Sequence, residues 1–278
     1  MKEGKTGMNK LIEKIFKIRK RENISFDEMT NMEKIIKQET TDIGGNRIKL
    51  KEGYNQETWD KGEKLLELVR NYYQPKRKYL AEKIFYRYNG KNEYNLYVEE
   101  IKKNERKIDE FERKCDLYMV CAAGCSACCN QLIGINPIEK AVLKKAIYKL
   151  NLGDRERIKL RAEEIISILE KEKFNIKHKT ISDGDYTEKE LNQYLKLKVR
   201  CPLLNEANKC MIYEARPVAC WSYRNYGQKK DCVDSIAIHA CSFDDAGLPI
   251  LDSFGTINRD KTDLNDFEIL PVFLREIL

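Results

Sequence analysis

The sequence has no long apolar run and only two histidines among its 278 residues. No stretch is apolar enough to indicate a signal peptide or a membrane span. We therefore expect a cytoplasmic protein without a membrane span. Because a reducing compartment disfavours disulfides, the ten cysteines indicate metal ligands or redox centres rather than structural cross-links.

Alternation of apolar and polar residues is also rare, and there is neither an internal repeat nor a convincing glycine-rich nucleotide loop. These absences argue against a β-barrel and a Rossmann sheet. Apolar residues instead recur at helical spacing over about residues 1–40, 57–87, 95–119, 137–152, 155–173, 187–198 and 265–277. Residues 201–260 show little periodicity. The sequence predicts a mainly α fold: a helical N-terminal region, then a helical domain with an irregular, metal-tied cysteine-rich loop region.

Local signals place several helix boundaries. Pro75 predicts a break between two helices. Asn136 followed by Pro137 is a typical helix start, and Thr187 with Glu190 has the spacing of a capping box.

The positive charge is concentrated in the first part of the chain. Residues 1–114 hold 28 Lys and Arg against 21 Asp and Glu, whereas residues 115–278 hold 24 of each. We therefore divide the chain into a basic helical region, 1–114, and a cysteine-cluster metal-binding domain, 115–278. A basic region can attract nucleic acid, acidic proteins or anionic lipid. Because acids alternate with bases in KKNERKIDEFERK, we favour a solvated helical surface, with a protein or small-molecule partner rather than nucleic acid.

Aromatic residues cluster within this basic region: Tyr72, Tyr73, Tyr79, Phe85, Tyr86 and Tyr88. Rings among bases can form a stacking platform for nucleobases. Such rings also commonly bury their bodies between helices. We favour the helix interface.

Four cysteines stand within nine residues, in CAAGCSACC: Cys121, Cys125, Cys128 and Cys129. In a helix their thiols would share one face, whereas in a loop Gly124 would permit a tight turn that brings the thiols together. Zinc and iron–sulfur clusters both bind thiolates. The spacing matches no standard zinc-finger pair. The adjacent Cys128 and Cys129 indicate either a second site or one spare thiol.

A second cysteine group follows about 70 residues later: Cys201, Cys210 and Cys220. Its loop-like segment has little regular structure to stabilise it, and a metal bound by both groups would supply that stabilisation. Cys115 is more typical of a buried small residue. Cys232 and Cys241 are candidates for a second site, and His239 is a weak candidate ligand.

The stretches GCSACC and CPLLNEANKCMIYEARPVAC resemble the YkgJ-like cysteine-cluster family, described as zinc- or iron-chelating. The resemblance covers about residues 121–225. It implies that the family cysteines are ligands or lie beside them, and with Cys121 the predicted metal set is Cys121, Cys125, Cys128, Cys129, Cys201, Cys210 and Cys220. The same motif includes Tyr213, Glu214, Arg216 and Pro217. Trp221 departs from it, since the family commonly has Arg there.

Arg216 has two interpretations from the residues. Its guanidinium would offset the charge of nearby thiolates, or it would pair with Glu214.

The sequence thus predicts a metal-binding cysteine-cluster protein that holds an iron–sulfur cluster, such as a 4Fe–4S cluster, or zinc, with a redox or protein-modifying role. We favour iron–sulfur because the ligand set is large and all sulfur. The alternative is an S-adenosylmethionine-dependent enzyme. Cys121-x3-Cys125-x2-Cys128 reproduces the radical-type spacing, although Ala127 stands where an aromatic is usual, and flagellin lysine-N-methylases carry a similar cysteine-rich element. No catalytic residue is identified, and whether the protein is an enzyme stays open.

Overall fold

The structure, a computed structural model, describes residues 55–122, 124–176, 187–228, 232, 239–258 and 267–278. The helices predicted within residues 1–40 lie outside this range. Helices dominate the described residues, which confirms the mainly α fold. The α-helices are α1 Gln56–Tyr73, α2 Arg77–Phe85, α3 Glu93–Lys114, α4 Pro137–Tyr148, α5 Leu152–Lys171, α6 Glu188–Lys196, α7 Val218–Trp221, α8 Asp244–Ile257 and α9 Leu270–Ile277. Two 3-10 turns, Gln74–Lys76 and Tyr213–Ala215, complete the helical elements of the described part.

Four short strands form two antiparallel pairs in the described residues. They are β1 Gly134–Ile135, β2 Tyr223–Asn225, β3 Ala240–Ser242 and β4 Glu268–Ile269. β1 pairs with β4, and Gly134 lies opposite Ile269. β2 pairs with β3, and Arg224 lies opposite Cys241.

Several helix boundaries follow directly from the local sequence. The 3-10 turn that contains Pro75 separates α1 from α2, as predicted. The Asn136 side chain accepts a hydrogen bond from the Ile138 amide, with Pro137 in the first turn of α4. Thr187 and Glu190 form the predicted capping box at the start of α6.

Helix α3 ends earlier than the apolar spacing predicts. The predicted helix reaches residue 119, but α3 ends at Lys114 because Asp116 adopts a left-handed conformation, with φ of 49°. The Asp116 amide donates to the Arg113 carbonyl and the Leu117 amide to the Glu112 carbonyl, which is the Schellman pattern. The chain therefore turns away from the helix axis just before the first cysteine group.

Helix α8 was not predicted, since it lies within the stretch expected to be irregular. Its sequence DDAGLPILDSFGTI contains two glycines and a proline, which lower helix propensity. Tertiary packing overrides this preference, because Ile250 and Phe254 are buried in an apolar cluster shared with α1 and α3. The prediction of an irregular segment through residue 260 was wrong at α8.

Three apolar clusters form the core of the described residues. The first joins α1, α3 and α8, the second lies between α4, α5 and α9, and the third packs the end of α5 against α6. The described residues all belong to one compact unit. The domain boundary predicted after residue 114 stays a prediction. Among the described helices, none combines the length and the apolar character that a membrane crossing requires.

Gly247 tests the packing that holds α8. A Cβ atom at this position would lie 2.4 Å from Cγ1 of Val218, a stiff β-branched side chain on α7. We expect Gly247→Ala to lower the free energy of unfolding by about 1–3 kcal/mol in urea denaturation. Gly153→Ala is the control, because its Cβ would meet only Asn151 Oδ1 at 3.5 Å. Equal stability of the two variants would contradict the tight contact.

Candidate metal centre

All seven predicted cysteines line one cavity of about 290 Å³. We call this the cysteine cavity; its thiols are those of Cys121, Cys125, Cys128, Cys129, Cys201, Cys210 and Cys220. Each of these cysteines is half-buried, and all ten cysteines of the chain are free thiols. The structure thus brings both cysteine groups to one place, while their assignment as ligands stays a prediction.

The first cysteine group lies in a series of turns rather than in a helix. Gly124 has a φ of 87°, a left-handed conformation that favours glycine. The Cys125 amide donates to the Ala122 carbonyl, and the Cys129 amide donates to that of Ser126. Of the two arrangements considered for this group, the structure shows the loop.

The two cysteine groups are joined directly by the backbone. The Cys201 amide donates to the Cys129 carbonyl with a 2.7 Å N–O distance. The Leu204–Cys210 bridge then folds the second group back on itself, and the side chain of Arg200 donates to the Ser126 hydroxyl across the two segments. Hydrogen bonds within the protein therefore hold together two cysteine groups that are far apart in the sequence.

Burial raises the pKa of five cavity thiols, those of Cys121, Cys128, Cys201, Cys210 and Cys220. Desolvation, together with the neighbouring Cys210 and Cys128 thiols, raises the pKa of Cys201 to about 12. Desolvation likewise raises the pKa of Cys220 well above its ordinary value. The pKa of Cys128 is raised first by its hydrogen bond with the neighbouring Cys129 and then by burial. The thiols are close enough to oppose one another's ionisation.

Two arginines face the cavity and counteract this effect. Arg216 favours the thiolate forms of Cys128, Cys210 and Cys220, lowering their pKa against the stronger effect of burial. Its ion-pair partner is Glu105 rather than Glu214, and its guanidinium carbon lies 3.9 Å from the centroid of the Tyr213 ring.

Arg224 is the second of these arginines and was not predicted. Its guanidinium is 5% exposed and pairs with Asp109 and Glu112 of α3 at 2.6 and 2.8 Å. Tyr226 donates to the same Glu112 carboxylate. Arg224 also favours the thiolate form of Cys121, whose pKa burial raises. Arg224 lies three residues after Trp221, the buried residue that departs from the family pattern.

Cys232, a candidate for a second site in the sequence, lies near the cavity thiols although it does not line the cavity. It is buried, and both Cys128 and Cys121 contribute to raising its pKa to about 11, after desolvation. The Asn225 amide N–H donates to the Cys121 sulfur at 3.4 Å and the Asn225 side chain to the Cys232 sulfur at 3.3 Å. The position of Asn225 between these two sulfurs therefore shows that Cys232 lies near Cys121.

The remaining candidates lie outside the cavity lining. Cys115 and Cys241 are buried in the apolar cluster of α1, α3 and α8. His239 Nε2 accepts a hydrogen bond from the Asn55 amide at the start of α1. These residues serve packing and capping rather than the cysteine cavity.

A buried carboxylate holds the helix that carries Cys220. Glu139 Oε1 accepts hydrogen bonds from the Val218 amide at 2.7 Å and from the Tyr97 hydroxyl at 2.8 Å. Val218 is the first residue of α7, so Glu139 satisfies a free amide at the start of that helix. Desolvation nevertheless raises the pKa of Glu139, against the effect of these hydrogen bonds.

The donor set fits a thiophilic metal. Thiolates bind zinc, copper and iron–sulfur clusters, and no histidine lines the cavity in the described part of the chain. Within that part, no three His, Cys, Asp or Glu side chains are grouped so as to hold a metal ion. The thiols line a shared wall, and binding would require them to close around the metal, which couples binding to the folding of the loops.

The fold and the cavity define a mainly α protein with a cysteine cluster suited to metal binding. Residues 120–241 match the CxxCxxCC family, described as "Putative zinc- or iron-chelating domain". This segment is therefore similar to that family, and the match supports metal binding by the cysteine cluster. Comparisons with curated proteins and with solved structures give no significant match.

The raised thiol pKa values predict proton release on metal binding. Below their raised pKa the thiols of Cys121, Cys128, Cys201, Cys210 and Cys220 are protonated, so each of these that becomes a ligand must release about one proton near neutral pH. We expect the affinity for Zn²⁺ to rise steadily between about pH 6 and 8. Calorimetry in buffers of different ionisation enthalpy measures the proton count. A count near zero would contradict protonated ligands in the metal-free protein.

Glu139 predicts a distinctive dependence of stability on pH. Since its pKa is raised in the folded state, the wild type loses stability as pH rises from the unfolded pKa through the folded pKa. Glu139→Gln keeps an oxygen that can accept both hydrogen bonds, and we expect this loss to disappear. Glu139→Ala leaves two buried donors without an acceptor and should lower the free energy of unfolding by about 2–4 kcal/mol. Urea denaturation at several pH values measures the stability of both variants. If the stability of the Glu139→Gln variant depends on pH as that of the wild type does, the raised pKa of Glu139 is contradicted.

Proposed function

We propose that the cysteine cavity holds an iron–sulfur cluster and that the protein has a redox role. The observation that carries this proposal is the all-thiol lining contributed by two distant segments. Cys121, Cys125, Cys128, Cys129, Cys201, Cys210 and Cys220 would supply the ligands, with Cys232 beside them. When bound, such a cluster supplies one-electron transfer at a potential set by charge, hydrogen bonds to sulfur and exposure.

The size of the cavity supports a cluster over a single ion. A volume of about 290 Å³ is roughly ten times the share of one water molecule in the liquid. A lone zinc ion with four thiolates would leave much of this space to be closed by movement of the loops. A cluster with its own sulfides fills more of it with the same number of thiolate ligands.

The surroundings of the thiols also suit a redox centre. The Asn225 amide donates to Cys121 and its side chain donates to Cys232, and N–H···S bonds stabilise the more negative state of a thiolate-bound centre. Half-buried cysteines leave the centre close to solvent, so an electron-transfer partner can approach. Ten free thiols are in keeping with a reducing, cytoplasmic location.

A radical S-adenosylmethionine enzyme is less well supported. The Cys121, Cys125 and Cys128 loop has the spacing, but the described residues hold only two-stranded sheets and not the strand–helix units of a barrel. No observation favours a methylase role over the simpler electron-transfer role.

Anaerobic purification tests the proposed cluster. We expect broad absorption near about 400 nm, with iron and acid-labile sulfide in comparable amounts. Cys128→Ser should remove most of the absorption, because Cys128 is close to thiols of both groups. Cys241→Ser is the control, since Cys241 is buried away from the cavity beside Gly62. A colourless protein with stoichiometric zinc and no sulfide would overturn the cluster while retaining metal binding.

A further inference from the structure

The aromatic cluster of the basic region is divided in the structure. Tyr73 is buried and donates to Asn104, and Tyr72 packs edge-on against Phe111. These rings form the helix interface that we favoured. Three others do not: Tyr79, Phe85 and Tyr86 are 62%, 38% and 81% exposed. We call these three residues, on α2 and its C-terminal end, the aromatic face.

The aromatic face presents its rings in a regular array. Tyr79 and Tyr86 are seven residues apart, so they lie on the same side of α2, about 10 Å apart along its axis. Phe85 and Tyr86 contact each other edge-on, with ring centroids 5.7 Å apart. Lys83 lies between the two tyrosines on that side. Packing against neighbouring helices therefore does not explain why aromatic residues occupy these positions.

The chain around the aromatic face is strongly basic. Residues 74–90 contain five Lys and Arg against Glu82 as the single acid. Arg77 is paired with Asp252, and Arg87 with Glu99 and Glu100. Lys78 and Lys83 have no ion pair within the part of the chain that the structure describes. Free positive charge therefore accompanies the exposed rings.

A groove of about 340 Å³ runs beside the aromatic face, between α2 and α3. Five bases line it: Lys83, Arg87, Lys103, Arg106 and Lys107. Two carboxylates, Glu100 and Glu110, also line it; both are engaged with bases of the groove. Lys83 on α2 and Arg106 on α3 face the groove from opposite walls, and no described residue forms an ion pair with either. Ile84 and Pro249 contribute apolar surface.

We propose that the aromatic face and this groove bind single-stranded nucleic acid. Phosphates would contact Lys83 and Arg106, and unpaired bases would stack on Tyr79 and Tyr86. A positive groove flanked by exposed rings is the combination that binds single strands without sequence preference. The site shares no residue with the cysteine cavity and does not depend on the proposed cluster.

Single strands fit this surface better than the other anionic partners. An acidic peptide would use the bases of the groove but would gain little from exposed tyrosine rings. A duplex would offer phosphates but would keep its bases stacked inside the helix. Unpaired bases use both features, because every base has a π-face.

Fluorescence anisotropy with a labelled oligothymidylate of about 12 nucleotides tests the site on the full-length protein. We expect binding that weakens with salt. Tyr86→Ala and Tyr79→Ala should each weaken binding about tenfold, with an unchanged dependence on salt. Tyr118→Ala is the matched control, since Tyr118 is 68% exposed and lies outside the aromatic face.

The salt dependence of binding tests the contribution of the groove separately from that of the rings. Lys83→Gln with Arg106→Gln removes two phosphate contacts, so the slope of log K against log salt should fall by about 1.4. Lys171→Gln with Lys196→Gln, on α5 and α6, removes the same charge elsewhere and should leave the slope unchanged. All substituted side chains are exposed, so folding should be retained, and circular dichroism checks this.

Any of the following results would overturn the proposal. The oligonucleotide fails to bind at low salt, the tyrosine variants bind it as the wild type does, or polyglutamate competes as well as the oligonucleotide. The last result would assign the groove to an acidic protein partner. Preference for a duplex of the same length would likewise exclude single-strand stacking.

Discussion

The carboxylates of helix α3 and the two arginines that they hold define the cysteine cavity. Glu105 pairs with Arg216, which lies between the second and third cysteines of the later group. Asp109 and Glu112 pair with Arg224, the central residue of β2. Removal of one partner from the buried Arg224–Glu112 pair would cost several kcal/mol, because the other charge is left without compensation. The two chain segments that carry Arg216 and Arg224 are thus both held against helix α3.

These ion pairs also limit the charge that the cavity can offer a metal centre. Arg216 and Arg224 favour thiolates, but each already faces at least one carboxylate. The carboxylates therefore offset much of the positive charge of the arginines, and burial raises the pKa of thiols such as that of Cys201. A metal ion supplies the positive charge that the arginines do not. The metal-free cavity is accordingly a set of thiols held near one another, rather than a preformed anion.

Local sequence determined some features of this structure, and long-range contacts determined others. The starts of α4 and α6 were predictable because Asn136 and Thr187 act on amides within three residues. Helix α8 was not, since its propensity is poor and its packing partners are distant in sequence.

The candidate site follows the same division. Cysteine order indicated that both groups meet, and the structure places all seven in one cavity. Cys232 was named with Cys241 as a candidate for a second site, and only its contact with Asn225 shows that it lies near the thiols of the cavity while Cys241 does not. The partner of Arg216 was likewise not predictable from the sequence, because Glu105 is 111 residues away whereas Glu214 is only two residues before Arg216.

Helix α3 shows how charges that alternate in sequence separate in space. In KKNERKIDEFERK the acids and bases are interleaved, which led us to expect a solvated surface. A helical repeat of 3.6 residues places Glu105, Asp109 and Glu112 towards the arginines of the cysteine cavity. It places Lys103 and Arg106 towards the basic groove. One helix therefore presents an acidic face to the thiol-bearing loops and a mainly basic face to the groove, so its mixed composition serves two surfaces of opposite charge.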